Sequence, residues 1–150
     1  MKAYTNVNLV TCDSVFHVYR DGLLVVEDDR IAYCGPYDQA RLGKCSETVD
    51  YEGAWIIPGL VNCHTHSAMT LLRGIRDDSN LHEWLEDYIW PAESRFTADL
   101  TTEAVQLALA EMLQSGTTTF NDMYNPQGVD IDRIYQAVRQ SGMRCYFSPT

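Results

Sequence analysis

Basic residues are scarce in this chain. Lys and Arg total 11 against 21 Asp and Glu, a formal charge of −10 over 150 residues. Such a balance repels phosphate backbones and offers no basic patch to an anionic bilayer, so neither nucleic acid nor a membrane is expected as a partner. Long apolar runs are absent too; none approaches the ~20 residues that span a bilayer. The opening MKAYTNVNLVTCDS alternates and has no continuous apolar stretch, so no secretory signal is expected. The five cysteines, at 12, 34, 45, 63 and 145, are odd in number and irregularly spaced, with no CxxC. That disfavours a disulfide scaffold or a Cys-rich zinc site and fits reduced thiols in a cytoplasmic protein. Phosphate-cradling GxGxxG and GxxxxGK[ST] loops, internal repeats and low-complexity segments are also missing.

The chain changes character near residue 55. Before it lie short strands: Tyr4 to Thr11, a hairpin of Leu23–Glu27 and Arg30–Cys34 around Asp28-Asp29, and Thr48–Tyr51. The polar segment 37–46 is readable as loop or short helix. From Trp55 onward strands and helices alternate. Leu60–His64 reads as a short buried strand and Leu81–Tyr88 as helical, with Pro91 suited to the first position of a further turn. Asp99–Ser115 carries Ala104, Val105, Ala108, Leu109 and Met112 at helical spacing and stops at Gly116. Thr117–Met123 reads as a strand. Asp130–Ser141 reads as a helix with Ile131, Ile134, Tyr135 and Val138 on one face, and Arg144–Ser148 as the next strand. This order implies α/β architecture with a parallel sheet. Three strands do not close a barrel, which typically takes ~250 residues.

The informative stretch is Pro58-Gly59-Leu60-Val61-Asn62-Cys63-His64-Thr65-His66. In an extended chain residues i and i+2 share a face, so His64 and His66 project together from a strand's C-terminal end. Two imidazoles so placed can chelate one metal ion, and in parallel α/β folds that end is where sites are built. Four histidines in 150 residues give an accidental HxH in roughly 8% of chains, so the pattern alone is weak. Either histidine is also readable as a hydrogen-bonded core residue.

The surrounding residues go further. PGLVNCHTHSAMTLLRG resembles the opening barrel strand of the amidohydrolase superfamily. More narrowly, it resembles the branch holding triazine hydrolases, guanine deaminase and the 5-methylthioadenosine/S-adenosylhomocysteine deaminases. The likeness continues through Leu81-His82-Glu83-Trp84-Leu85, Trp90-Pro91-Ala92-Glu93, the run from Gly116 to Tyr124, and Gly142-Met143-Arg144. It implies the N-terminal portion of a (β/α)8 TIM barrel (56–150, three βα units, barrel incomplete). Ahead of it stands part of a small β-sandwich domain (1–55).

The resemblance also implies a chemistry. His64 and His66 would be metal ligands for one divalent ion, zinc or alternatively iron. The remaining ligands and the proton shuttle would lie beyond residue 150, so no catalytic residue falls in this segment and the 150 residues alone should be inactive. The reaction would be hydrolysis of a C–N bond in a cyclic amidine by metal-activated water, deaminating an adenosine-type nucleoside. Glu93 would bind both ribose hydroxyls, although a glutamate at a helix start is also favoured by the helix dipole. Trp84 could pack on the substrate ring, though aromatic burial for area alone is commoner. In many of those deaminases an arginine stands where this chain has Pro149, so the substrate is less defined than the chemistry.

Several residues have blander readings. Tyr88 and Trp90 read as core, and Cys63 as a packed thiol. Arg73 and Gly74 shape the loop after the first barrel strand, and Arg144 belongs to a strand entrance. Asn121 and Asp122 end a strand, where they could serve the site or bond to loop backbone. His17 and His82 are not placed to complete a metal site. The competing functions are a guanine or triazine-type aminohydrolase, a hydantoinase-like amide hydrolase, and a non-catalytic truncated fragment whose open strand edge pairs with another chain. A homo-oligomer is compatible with all of these.

Overall fold

The computed structural model describes residues 1–124 and 129–149, with side chains at all of these except 124 and 149. Its mixed α/β architecture divides into two compact units, Met1–Pro58 and Gly59–Thr150.

The first unit is one five-stranded sheet. Its strands are β1 (Lys2–Val10), β2 (Val18–Glu27), β3 (Arg30–Pro36), β4 (Glu47–Asp50) and β5 (Trp55–Ile56). The order is β3-β2-β1-β4, with β5 also on β1. The β1–β2 and β2–β3 pairs are antiparallel; β4 and β5 run parallel to β1. Successive strand side chains point to opposite faces, which explains the unbroken apolar run in β2. Leu23 and Val25 join Ala3 in one cluster, while Leu24 joins Val7 and Leu9 in another. The hairpin turns at Asp28, in a left-handed conformation (φ 52°) that aspartate tolerates. The 37–46 segment contains a short helix, α1 (Gln39–Leu42), capped by the Asp38 carboxylate accepting from the Ala40 and Arg41 N–H groups. The unit runs on to Pro58, three residues past the boundary expected at 55. Ile56 pairs with Leu9 of β1, a long-range bond that local composition does not show.

The second unit begins with β6 (Leu60–Thr65) and a 3₁₀ turn (Ser67–Leu72). A helical stretch follows, made of α2 (Leu81–Glu83), a π-helical segment (Trp84–Ile89) and α3 (Trp90–Glu93). Then come α4 (Ala98–Gln114), β7 (Thr117–Tyr124), α5 (Ile131–Ser141) and β8 (Arg144–Pro149). The three strands are parallel, in the order β6-β7-β8. Thr97 and Asp130 cap α4 and α5 by accepting from Leu100 N–H and Arg133 N–H. Gly142 ends α5 at φ 75°, and Gly116 follows α4 at φ 83°, conformations that any Cβ would strain. The core joins Val105, Ala108, Leu109 and Met112 of α4 to Phe120, Ile134, Ala137, Val138 and Met143.

Several burial expectations are corrected. Ile131 and Tyr135 are exposed, and the small Ala137 joins Ile134 and Val138 on the buried face of α5, where a narrow helix face meets the core. Among the described residues β6 lies at the edge of its sheet and is not buried. Val61 is 62% exposed, and the Cys63 thiol is exposed as well. Trp90 is 50% exposed and Tyr88 half-buried, so neither is core. All five cysteines are unpaired. Among the described residues no helix is long and apolar enough to cross a membrane.

Candidate functional site

The site is built at the C-terminal end of β6. His64 lies in the strand and is exposed; His66 follows it and is half-buried. Strand alternation brings the two rings together, centroids 5.1 Å apart and nearly perpendicular at 87°. The His64 N–H donates to Asn62 Oδ1 at 3.2 Å. His66 Nδ1 lies 3.2 Å from the Met123 carbonyl oxygen of β7. A carbonyl only accepts, so Nδ1–H is the donor in this contact. Two imidazoles sharing one tetrahedral ion at ~2.0–2.1 Å place their centroids ~5 Å apart, so this pair has the spacing for a shared ion. Among the described residues no group of three His, Cys, Asp or Glu side chains gathers as a metal cluster.

The turn that follows His66 is anchored from below. Ser67 and Asp122 are both fully buried. The Ser67 N–H donates to Asp122 Oδ1 at 3.0 Å and its hydroxyl donates to Oδ2. Burial pushes the Asp122 carboxyl above the usual carboxylate range, against the opposing pull of the two Ser67 hydrogen bonds and of His66. Its neighbour Asn121 faces elsewhere, donating to the Cys63 carbonyl and accepting from the Ser148 hydroxyl. Of the two strand-end residues, Asp122 is therefore the one that holds the loop backbone beside His66. Ser67 and the Met123 carbonyl were not singled out by sequence reasoning. The only signal for them is their adjacency to His66 and Asp122.

Glu93 closes α3 and is half-buried. Burial raises its pKa, and the nearby His66 opposes that rise, so the carboxyl lies within electrostatic reach of the imidazole. Pro91 lies in the first turn of α3, inside the continuous helical stretch, and supplies no N–H to it. Trp84, half-buried at the start of the π-helical segment, shares with His66 an open cleft of about 410 Å³. The structure thus associates His64, His66 and Glu93 electrostatically or by contact, and sets Trp84 beside His66 in that cleft. His82 projects outward and pairs with Glu86 at 3.2 Å, and His17 pairs with Asp13 at 2.6 Å within the first unit. Arg144 opens β8, while the Pro149 side chain lies outside the described residues.

Residues 55–150 match the amidohydrolase family. A 5-methylthioadenosine/S-adenosylhomocysteine deaminase of Bacillus cytotoxicus is 47% identical over 148 residues, which is 99% of this chain and 34% of that protein. One of Bacillus cereus is 46% identical over 147 residues, 98% of this chain and 34% of that protein. The chain thus spans about a third of the length of the curated relatives it matches. Among solved structures, an adenosine deaminase from Xanthomonas campestris with bound zinc superposes with a TM-score of 0.85 at 34% identity, over 96% of this chain and 32% of that one. Atrazine chlorohydrolase TrzN from Arthrobacter aurescens, complexed with zinc, gives a TM-score of 0.87 at 23% identity, over 99% of this chain and 35% of that one. This last likeness is one of fold.

Proposed function

Since this chain belongs to the amidohydrolase family, we propose that it forms part of a metal-dependent aminohydrolase acting on an adenosine-type nucleoside. The carrying observation is the juxtaposition at the end of β6 of two imidazoles 5.1 Å apart; the half-buried Glu93, whose carboxyl His66 influences electrostatically, supports it. In this reading the first unit is part of the small β-sandwich domain, and the second supplies the first three βα units of a TIM barrel. The remaining metal ligands come from outside these residues, and the enzyme works in the cytoplasm. The names of relatives at 46–47% identity support the nucleoside substrate.

His64 and His66 would hold a divalent ion through ring nitrogens, a donor set that suits zinc, with iron the alternative. Bound between them, such an ion would supply Lewis acidity for the activation of water near neutral pH. The chain's own residues do the rest. The Met123 carbonyl fixes the His66 tautomer and aims Nε2 away from β7. The Asp122–Ser67 pair holds the turn behind it. Glu93 accepts hydrogen bonds from the two vicinal ribose hydroxyls, which orients the base and favours a nucleoside over a free base. Trp84 offers an apolar wall to the bound substrate.

The test uses the full product of the reading frame that encodes this chain, assayed for ammonia release from 5-methylthioadenosine, S-adenosylhomocysteine and guanine, with metal content measured in parallel. His64→Ala and His66→Ala should lose metal. Glu93→Gln weakens charge-assisted bonds worth ~1.5–3 kcal/mol, so nucleoside turnover should fall ~10- to 150-fold more than free-base turnover. Equal losses reject the ribose role. Turnover of guanine or a triazine in place of both nucleosides favours the runner-up.

A further inference from the structure

We infer that Pro91 is a positioning residue: its ring forces a wide turn in the helical stretch 81–93, and that turn brings Glu93 round to the side of Trp84 and the cleft beside His66. The inference rests on the reading of Glu93 as the ribose-binding carboxylate and names what in the chain aims it.

The hydrogen bonds locate the turn. The Trp84 N–H donates to the Asn80 carbonyl, four residues back. The Trp90 N–H donates to the Leu85 carbonyl, five back. The Ser94 N–H donates to the Trp90 carbonyl, again four back. Regular α-helix thus gives way to π-helical spacing over Trp84–Ile89 and returns after it. Such turns are rare and mostly occur singly inside α-helices. A proline ring within an α-helix collides with the carbonyl four residues behind it and offers that carbonyl no N–H. For Pro91 that carbonyl belongs to Asp87. Widening the turn immediately ahead of the ring relieves the collision.

The consequence follows from helix geometry. Trp84 and Glu93 are nine residues apart. At about 100° per residue a regular α-helix would turn about 900° between them, which puts them on opposite sides. One extra residue in the wide turn takes back about 100° and leaves them about 80° apart, on one side. Burial agrees. Trp84 and Glu93 are half-buried and Ile89 between them is fully buried, whereas Glu86, Asp87 and Trp90 are exposed. Trp84 lines the cleft with His66, and His66 acts electrostatically on the Glu93 carboxyl. Without the wide turn Glu93 would face away from both.

The experiment is Pro91→Ala in the full enzyme, alone and combined with Glu93→Gln. Pro91 is exposed, so the substitution empties no core, and alanine returns an N–H to the helix. The variant should melt no lower than the wild type. In its crystal structure the Trp90 N–H should turn to the Glu86 carbonyl, and the Glu93 carboxyl should swing away from His66. kcat/KM for 5-methylthioadenosine should fall about tenfold or more, the scale of a lost charge-assisted bond, with most of the loss in KM. In the Glu93→Gln background Pro91→Ala should add less than about twofold, because the group it positions is already impaired. A Leu85–Trp90 bond and a Glu93 carboxyl that stay in place without the ring overturn the inference. So do losses that multiply, or a variant that melts well below the wild type, which would make Pro91 a support of the fold alone. If Glu93→Gln by itself costs nothing, the ribose reading fails, while the crystal structure of Pro91→Ala still decides whether the ring sets the turn.

Discussion

Replacing Asp122 by Ala should cost this fold about 2–6 kcal/mol. Asp122 and Ser67 are fully buried, and the carboxylate is the acceptor for both the Ser67 N–H and the Ser67 hydroxyl. Truncation leaves two buried donors without a partner, and each such donor costs ~1–3 kcal/mol. A domain is stable by only ~5–15 kcal/mol, so this one carboxylate matters greatly. Asp122→Asn is nearly the same shape. Its amide oxygen still accepts from the Ser67 N–H, and its NH₂ can donate to the hydroxyl, so it should retain more than half of the lost stability. Urea denaturation of wild type, Ser67→Ala, Asp122→Ala and the double variant forms a cycle, in which a direct contact should give a coupling of ~0.5–3 kcal/mol. The His66 ring resonances report whether the turn shifts with it. A loss below about 0.5 kcal/mol for Asp122→Ala, within the range of surface substitutions, refutes the reasoning. A coupling near zero does so too.

Gly59→Ala should destabilise the second unit, because a Cβ there would overlap the Thr118 side chain. The overpacking penalty of ~1–3 kcal/mol exceeds the ~0.4–1 kcal/mol gained from a stiffer unfolded chain. Thr118→Ala should rescue only in part, since the Thr118 Cβ itself would sit 2.7 Å away; a stabilised Gly59→Ala would contradict the packing. The Asp13 carboxyl should titrate at about 2, held down first by its hydrogen bond with His17 and then by the His17 N–H. A depressed carboxyl stabilises the fold above its unfolded value near 3.8 and loses that contribution as pH falls toward 2. NMR titration should show the low midpoint, and His17→Ala should move it up; an unmoved midpoint would assign the shift elsewhere. The isolated 150-residue chain should self-associate with rising concentration, through the edge strands β6 and β8 and exposed side chains such as Val61 and Tyr146. Size-exclusion chromatography with hydrogen exchange decides this, and a well-protected monomer would count against it.

The elements that sequence alone makes legible are those whose reasons are local. α4 follows from apolar spacing and a terminal glycine, the β2–β3 hairpin from two apolar runs around Asp28-Asp29, and the His64–His66 pairing from strand alternation. Burial was harder to read. An apolar run such as Leu60-Val61 looks the same in a central strand and in an edge strand; only the pairing order β6-β7-β8 shows it to be an edge. Cys63 was misread for the same reason, and the unit boundary moved because Ile56 is held by Leu9, far away in sequence. The electrostatic influence of His66 on Glu93 depends on a helical stretch that regular helical periodicity does not aim. Their association was legible only through a resemblance.

Asn121 and Asp122 show what decides between equivalent-looking candidates. Both are short polar residues near the end of β7, and composition cannot rank them. Alternation sends them to opposite faces, and what each face meets sets its role. Asn121 meets the Cys63 carbonyl and the Ser148 hydroxyl at a half-open surface. Asp122 meets a buried N–H and hydroxyl that no other described residue satisfies. A buried donor pair demands an acceptor, and a carboxylate with two oxygens serves both donors. That demand fixes Ser67, and through the peptide link it restricts where His66 can stand. The polar residue that looked like a candidate for chemistry is thus a support for the turn beside His66, and its burial, more than its identity, sets that role.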